Sequence, residues 1–206
     1  MSEHEHFHQA YAEGGAPPWD IGRPQPALVA ADRRGWVHGP VLDAGCGTGE
    51  HALYFAAAGH DVVGVDVVPA AIERAAAKAR ERGLAKPPRF VVADALRLPE
   101  ALGETTTFET VVDMGFFHTL SDEERAVWRD VLARLLPPAG RYVMVCFSDL
   151  LPGGFGPRRV SEAEIRATFA AEAGFGVAAL ERVGIESLRN EAETTIPGWL
   201  AVVERS

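Results

Sequence analysis

Three glycines, Gly45, Gly47 and Gly49, fall at every second position of the segment VLDAGCGTGE. Glycine there permits positive φ and lets a ligand approach the backbone closely. The pattern is G-x-G-x-G, and the dinucleotide fingerprint G-x-G-x-x-G would need glycine where Glu50 stands. A Walker loop needs a Gly-Lys pair, which the chain lacks. Asp43 precedes the loop and Glu50 follows it, charges that suit a ligand with a cationic part and hydroxyls. Asp66 ends DVVGVD about 20 residues further on, where an acid can bond a ribose diol in this kind of architecture. Asp94 ends FVVAD in the same way. One strand-terminal Asp commonly just caps a turn. Three of them beside a glycine loop point to a nucleoside site.

Other residue types suit the acceptor side of such a site. His118 follows FETVVDMG and is the candidate general base, because imidazole titrates near working pH. A helix-capping or supporting histidine is the competing reading. Trp19, Phe116, Phe117, Phe147 and Phe155 are candidates to wall an apolar pocket. Arg158 and Arg159 could meet an acidic acceptor, with solvated surface charge as the alternative. His51, just past the loop, reads as a helix-start residue near the ligand. His4, His6 and His8 alternate in a polar segment that reads as a solvated, disordered tail. No Cys/His cluster has zinc spacing, so no metal is expected. Cys46 and Cys146 read as reduced, buried thiols.

These residues need elements to hold them. VLDA at 41–44 reads as a buried strand, followed by the glycine turn and a helix over about 50–58. Strands are expected at 61–66, 90–94, 108–115 and 140–148, with helices over 70–82 and 122–136 between them. Ser161 and Glu164 have the spacing of a capping box opening a further helix. Two late strands, near 177–183 and 200–204, close the chain. This alternation implies a parallel sheet covered on both faces, with ligands at the carboxyl ends of its strands. The Gly- and Pro-rich stretch Gly14 to Pro26 cannot form a regular helix or central strand. It reads as an arm before the main fold: a lid stiffened by its prolines and carrying Trp19 and Ile21, with a constitutive arm packed on the sheet edge as the competing reading.

The chain of 206 residues is long enough for one domain with a full core. Its net charge of −9 and the absence of a basic patch argue against nucleic acid. The polar start lacks a signal-peptide pattern, and no apolar run reaches membrane-spanning length, so a cytoplasmic protein without membrane contact is expected.

VLDAGCGTG, GVD and the Asp-Ala of VVADAL resemble the class I methyltransferases that use S-adenosylmethionine. The resemblance covers nearly the whole chain. It implies a three-layer Rossmann-like α/β sandwich with a mostly parallel seven-stranded sheet, one strand antiparallel around Val202. It implies a single domain, 1–206, with residues 1–40 as an arm or lid over the cofactor and acceptor. The cofactor residues implied are Trp19, Asp43, Gly45, Cys46, Gly47, Thr48, Gly49, His51, Asp66, Val67, Asp94, Ala95 and Asp113. Asp66 would take the ribose hydroxyls, Asp94 the adenine amino group, and Ala95 would offer its backbone. On the acceptor side the set is Trp19, Phe117, His118, Phe147, Phe155 and Arg158. PPWDIGRPQP, FETVVDMGFFHTL and CFSDLLPGGFGPRRVSEAEI are similar to bacterial small-molecule methyltransferases of the thiopurine, thiol and heterocyclic-toxin types. These methylate S, N or O of small, often aromatic acceptors. The expected protein is a monomer or homodimer using S-adenosylmethionine, and the sulfonium donor needs no metal to activate it. A nicotinamide oxidoreductase, a non-catalytic nucleoside sensor and a nucleic-acid methyltransferase are the competing readings.

Overall fold

A computed structural model describes residues 3–12, 17–151, 157–189 and 192–206. Seven strands form one sheet in the order β3-β2-β1-β4-β5-β7-β6. They are β1 (Val41–Ala44), β2 (Val62–Asp66), β3 (Arg89–Val92), β4 (Thr110–Met114), β5 (Arg141–Phe147), β6 (Phe175–Arg189) and β7 (Ala192–Arg205). The first five are mutually parallel, and β7 runs antiparallel to both β5 and β6. The order turns back on itself at β1, which lies between β2 and β4. That reversal opens the crevice in which ligands of such sheets bind.

Among the described residues seven α-helices accompany the strands: α1 (Glu3–Ala12), α2 (Pro26–Arg33), α3 (Glu50–Ala57), α4 (Pro69–Arg82), α5 (Leu98–Leu102), α6 (Asp122–Leu135) and α7 (Glu162–Thr168). Their ends follow local chemistry. Pro69 sits in the first turn of α4, and Gly83 closes that helix in the left-handed region at φ 59°. Ser121 with Glu124, and Ser161 with Glu164, each form a complete capping box at the starts of α6 and α7. One sheet face packs Leu98, Trp128, Leu132, Tyr142 and Ile165 together, and the other packs Leu28, Phe55, Val112 and Val143. Among the described residues, no helix is long and apolar enough to cross a membrane.

Three expectations are corrected. The segment around His4, His6 and His8 is helix α1, not a disordered tail; Tyr11 anchors it, being 4% exposed against Val68 and Ala71. The arm ends in helix α2, because Pro26 at its first turn lacks only an N–H that no helix start uses. The late strands are far longer than expected and form a hairpin that runs past the end of β5, which pairs β7 only from Gly198 to Glu204.

The arm covers the edge that this overhang exposes. The Gln25 side chain donates to the Glu186 carbonyl at 2.7 Å and accepts from its N–H at 2.9 Å. The Leu188 N–H donates to the Pro18 carbonyl at 2.8 Å, and Arg23 pairs with Glu186 at 3.0 Å. An edge strand is left with unpaired backbone groups, and Gln25 and Pro18 satisfy those of β6 here.

Candidate functional site

The glycine loop leaves β1 and starts α3. Cys46 N–H donates to the Val65 carbonyl at 2.9 Å, and Gly47 N–H donates to Asp66 Oδ2 at 2.8 Å. Asp66 Oδ1 accepts from Val68 N–H at 2.9 Å. Asp66 therefore clasps the loop to the end of β2, and burial raises its carboxyl above the usual range. All three loop glycines have positive φ: 67°, 54° and 84°. A Cβ on Gly47 would come within 2.8 Å of the Tyr11 hydroxyl, and one on Gly45 within 3.2 Å of Phe116. A Cβ on Gly49 would meet Ala75 and the Phe90 ring at 2.8 Å.

The loop's charges are distributed differently from what the sequence suggested. Glu50 does not face a cationic ligand: it is buried and pairs with Lys78 at 2.7 Å and Arg82 at 2.7 Å. Thr48 is also buried; its hydroxyl donates to Asp20 at 2.6 Å and accepts from Lys78 at 2.7 Å. His51 Nε2 accepts from Gln25 N–H at 3.1 Å, and burial depresses its pKa to about 4. Thr48 and His51 thus tie the arm to the loop.

Asp43 is 1% exposed, and its Oδ2 has no hydrogen-bond partner. Burial, with Asp113 and Asp66 nearby, pushes its carboxyl up to about 7. Asp94 lies two residues beyond β3, not within it, and caps a short 3-10 turn by accepting from Leu96 N–H at 2.9 Å. Ala95 is buried in that turn, and Val67 packs beside Tyr11. Asp113, expected among the cofactor residues, is turned inward on protein partners. It is fully buried and accepts from Phe116 N–H at 2.6 Å, Phe117 N–H at 2.9 Å and the Tyr142 hydroxyl at 2.5 Å. These donors stabilise the carboxylate, yet burial still holds its pKa up at about 6. Its role is to fix the turn that carries His118.

On the acceptor side His118 and Phe147 come together, their rings stacked 4.3 Å apart. His118 Nδ1 accepts from Phe147 N–H at 3.0 Å, so the neutral ring carries its proton on Nε2. Burial and the charges of Arg125 and Arg159 lower its pKa to about 3. That placement departs from the expected general base: the one lone pair is engaged, and the imidazolium is disfavoured. Phe117 is corrected as a pocket wall; it is fully buried in the core beneath Arg125 and against Phe169. Arg158, expected on the acceptor side, bridges Asp122 at 2.6 Å and Glu164 at 2.8 Å. Phe155 lies outside the described residues. Trp19 is 42% exposed, and its Nε1–H donates to the Tyr11 hydroxyl at 3.1 Å.

Sequence reasoning missed Tyr11, Asp20, Lys78 and Phe90 around this loop. Tyr11 carried a signal: Phe7 and Tyr11 stand four apart, one apolar stripe on a helix. Lys78 and Asp20 carried none, since only folding brings them to Thr48.

Residues 41–140 match a family model described as a methyltransferase domain. The chain is 39% identical over 152 residues to the 2-heptyl-1-hydroxyquinolin-4(1H)-one methyltransferase of Mycobacteroides abscessus, covering 73% of this chain and 65% of that protein. It is 31% identical over 153 residues to the probable thiol methyltransferase 2 of Arabidopsis thaliana, covering 74% and 66%. The matched segment therefore spans just under two thirds of both curated relatives. A solved structure, reported for the conversion of a disulfide bond into a thioacetal group during echinomycin biosynthesis, superposes with a TM-score of 0.85. The two are 33% identical, with 98% of this chain and 92% of that one covered.

Proposed function

The chain belongs to the S-adenosylmethionine-dependent methyltransferase family, and from that premise we propose that it transfers a methyl group to a sulfur, nitrogen or oxygen atom of a small, aromatic or heterocyclic acceptor. The observation that carries the reading is the glycine loop clasped by Asp66, with Asp94 capping the turn just beyond the next strand. The names of the hydroxyquinolone and thiol methyltransferase relatives support the acceptor class.

The residues present fit the cofactor. The orphaned, buried Asp43 oxygen is a group that a ligand's ammonium would satisfy. When bound, S-adenosylmethionine supplies a methyl group already activated by its sulfonium. Asp66 keeps lone pairs for the ribose hydroxyls after accepting its two amides. In this reading Asp94 takes the adenine amino group, beside Ala95. The third glycine of a dinucleotide loop has no place here, because Glu50 is fixed by Lys78 and Arg82.

The remaining task is positioning and exclusion of water. Phe147 offers an apolar wall, and His118 presents Nε2–H as a donor beside it. The acceptor is then held, not deprotonated, by His118. The arm closes the site from above, acting as a lid hinged between the glycine loop and the β6 edge. Limited proteolysis tests the lid: cleavage before Asp32 should slow when S-adenosylhomocysteine is added. Cleavage insensitive to the ligand would make the arm a constitutive support.

A screen of thiols, phenols, hydroxyquinolines and azaheterocycles with methyl-labelled S-adenosylmethionine tests the function as a whole. Label transfer to none of them, with tight binding retained, would favour a sensor. Once an acceptor is found, His118→Asn discriminates the histidine's role. Asn Oδ1 can still accept from Phe147 N–H, so kcat should stay within about tenfold of the wild type, with an unchanged pH profile. A general base would lose ~100-fold or more.

A further inference from the structure

Tyr11 lies outside every residue set implied by the family resemblance, yet its side chain packs against Gly47. Its hydroxyl lies 2.8 Å from where a Cβ on Gly47 would stand. The ring is 4% exposed, and three contacts lock it in place. Arg74 donates to its carbonyl at 2.8 Å. The Trp19 indole meets the ring edge-on at 6.4 Å and donates to its hydroxyl at 3.1 Å. With its oxygen accepting from Trp19, Tyr11 still has its own O–H proton to give. Among the described residues, no acceptor takes it. Burial holds the phenol well above its usual range, so the proton stays on.

A buried hydroxyl with an unused donor, packed against a ligand loop, is a recognition group for an acceptor on that ligand. This step rests on the cofactor reading above, in which the glycine loop carries the amino-acid end of the nucleoside. The anionic acceptor at that end is a carboxylate. We propose that the Tyr11 hydroxyl donates to the carboxylate of the bound cofactor, making α1 part of the cofactor site and Trp19 the residue that positions Tyr11.

The test is isothermal titration of wild type and Tyr11→Phe with two ligands. S-adenosylhomocysteine has the carboxylate; 5′-methylthioadenosine has the same nucleoside without the amino-acid end. Phenylalanine keeps the ring and its packing, so the apo melting temperature should hold. Tyr11→Phe should weaken S-adenosylhomocysteine about tenfold or more, the size of one charge-assisted bond, and leave 5′-methylthioadenosine within about twofold. Unchanged S-adenosylhomocysteine affinity, or an equal loss for both ligands, overturns the assignment. If the wild type binds neither ligand, the cofactor reading itself fails, an outcome distinct from loss in the variant alone.

Discussion

Asp43→Asn is expected to remove most of a loss of stability that the wild type suffers between pH 4 and pH 7. The folded protein holds the Asp43 carboxyl at about 7, against 3.8 for the exposed group, chiefly because burial strips the charged form of water. Below pH 4 both folded and unfolded chains carry the proton, and the group's contribution is fully present. Above that, the unfolded chain releases its proton while the folded chain keeps it. The folded state then binds more protons, so stability falls as pH rises, until the folded carboxyl also ionises near 7. A difference of this size corresponds to about 4 kcal/mol, or roughly 10 °C in Tm for a domain of about 200 residues. Asparagine has nearly the same shape and no charge to bury, so it abolishes the Asp43 share. Asp113, held at about 6 by burial, contributes a smaller slope of the same sign in both proteins. The measurement is Tm against pH for wild type and variant. Parallel curves would show that Asp43 ionises freely in the fold, and the orphaned Oδ2 would then need a partner.

Asp66→Ala is expected to weaken S-adenosylhomocysteine binding by about 100-fold or more. Two effects add. The variant loses the group proposed to bond the ribose hydroxyls, and it unclasps Gly47 N–H and Val68 N–H, each now donating to a carboxylate oxygen. Hydrogen bonds to a charged partner contribute about 1.5–3 kcal/mol each, and 100-fold needs only about 2.7 kcal/mol. The core is untouched, so the far-ultraviolet spectrum should be unchanged. Titration of both proteins with S-adenosylhomocysteine and NAD checks the result. Tighter binding of NAD than of S-adenosylhomocysteine by the wild type would overturn the family's cofactor assignment for this chain, and an unchanged Kd in the variant would remove Asp66 from the site.

The central strands and the glycine loop were legible because they are local. Apolar runs of four to six residues, glycines at fixed offsets and an Asp at a strand end are short-range patterns, and parallel strands bury both faces and so declare themselves. The capping box at Ser161 was legible for the same reason. The arm was only partly legible. Its prolines excluded a regular element, yet they also open α2, and a proline signal does not say which of the two it marks.

The long hairpin shows where local pattern ends. Gly184 and Gly198 break β-propensity within β6 and β7, but a Cβ at either would strike the partner strand's Thr195 or Ile185 within 2.5 Å. They are strand residues because of what lies across from them. The roles of charged and aromatic residues were likewise decided by partners distant in sequence. Glu50 is neutral in effect because α4 brings Lys78 and Arg82 to it. Asp113 is structural because Tyr142 on the neighbouring strand meets it. Arg158 is held by Asp122 and Glu164 on two helices. His118 is a donor because the end of β5 supplies an N–H to its Nδ1. The sequence by itself determined the central strands and the glycine loop, since each depends on residues within a few positions of one another. Only the tertiary structure decided which side chains are free to meet a ligand, because burial and pairing are set by elements that the chain brings together from 30 to 160 residues apart.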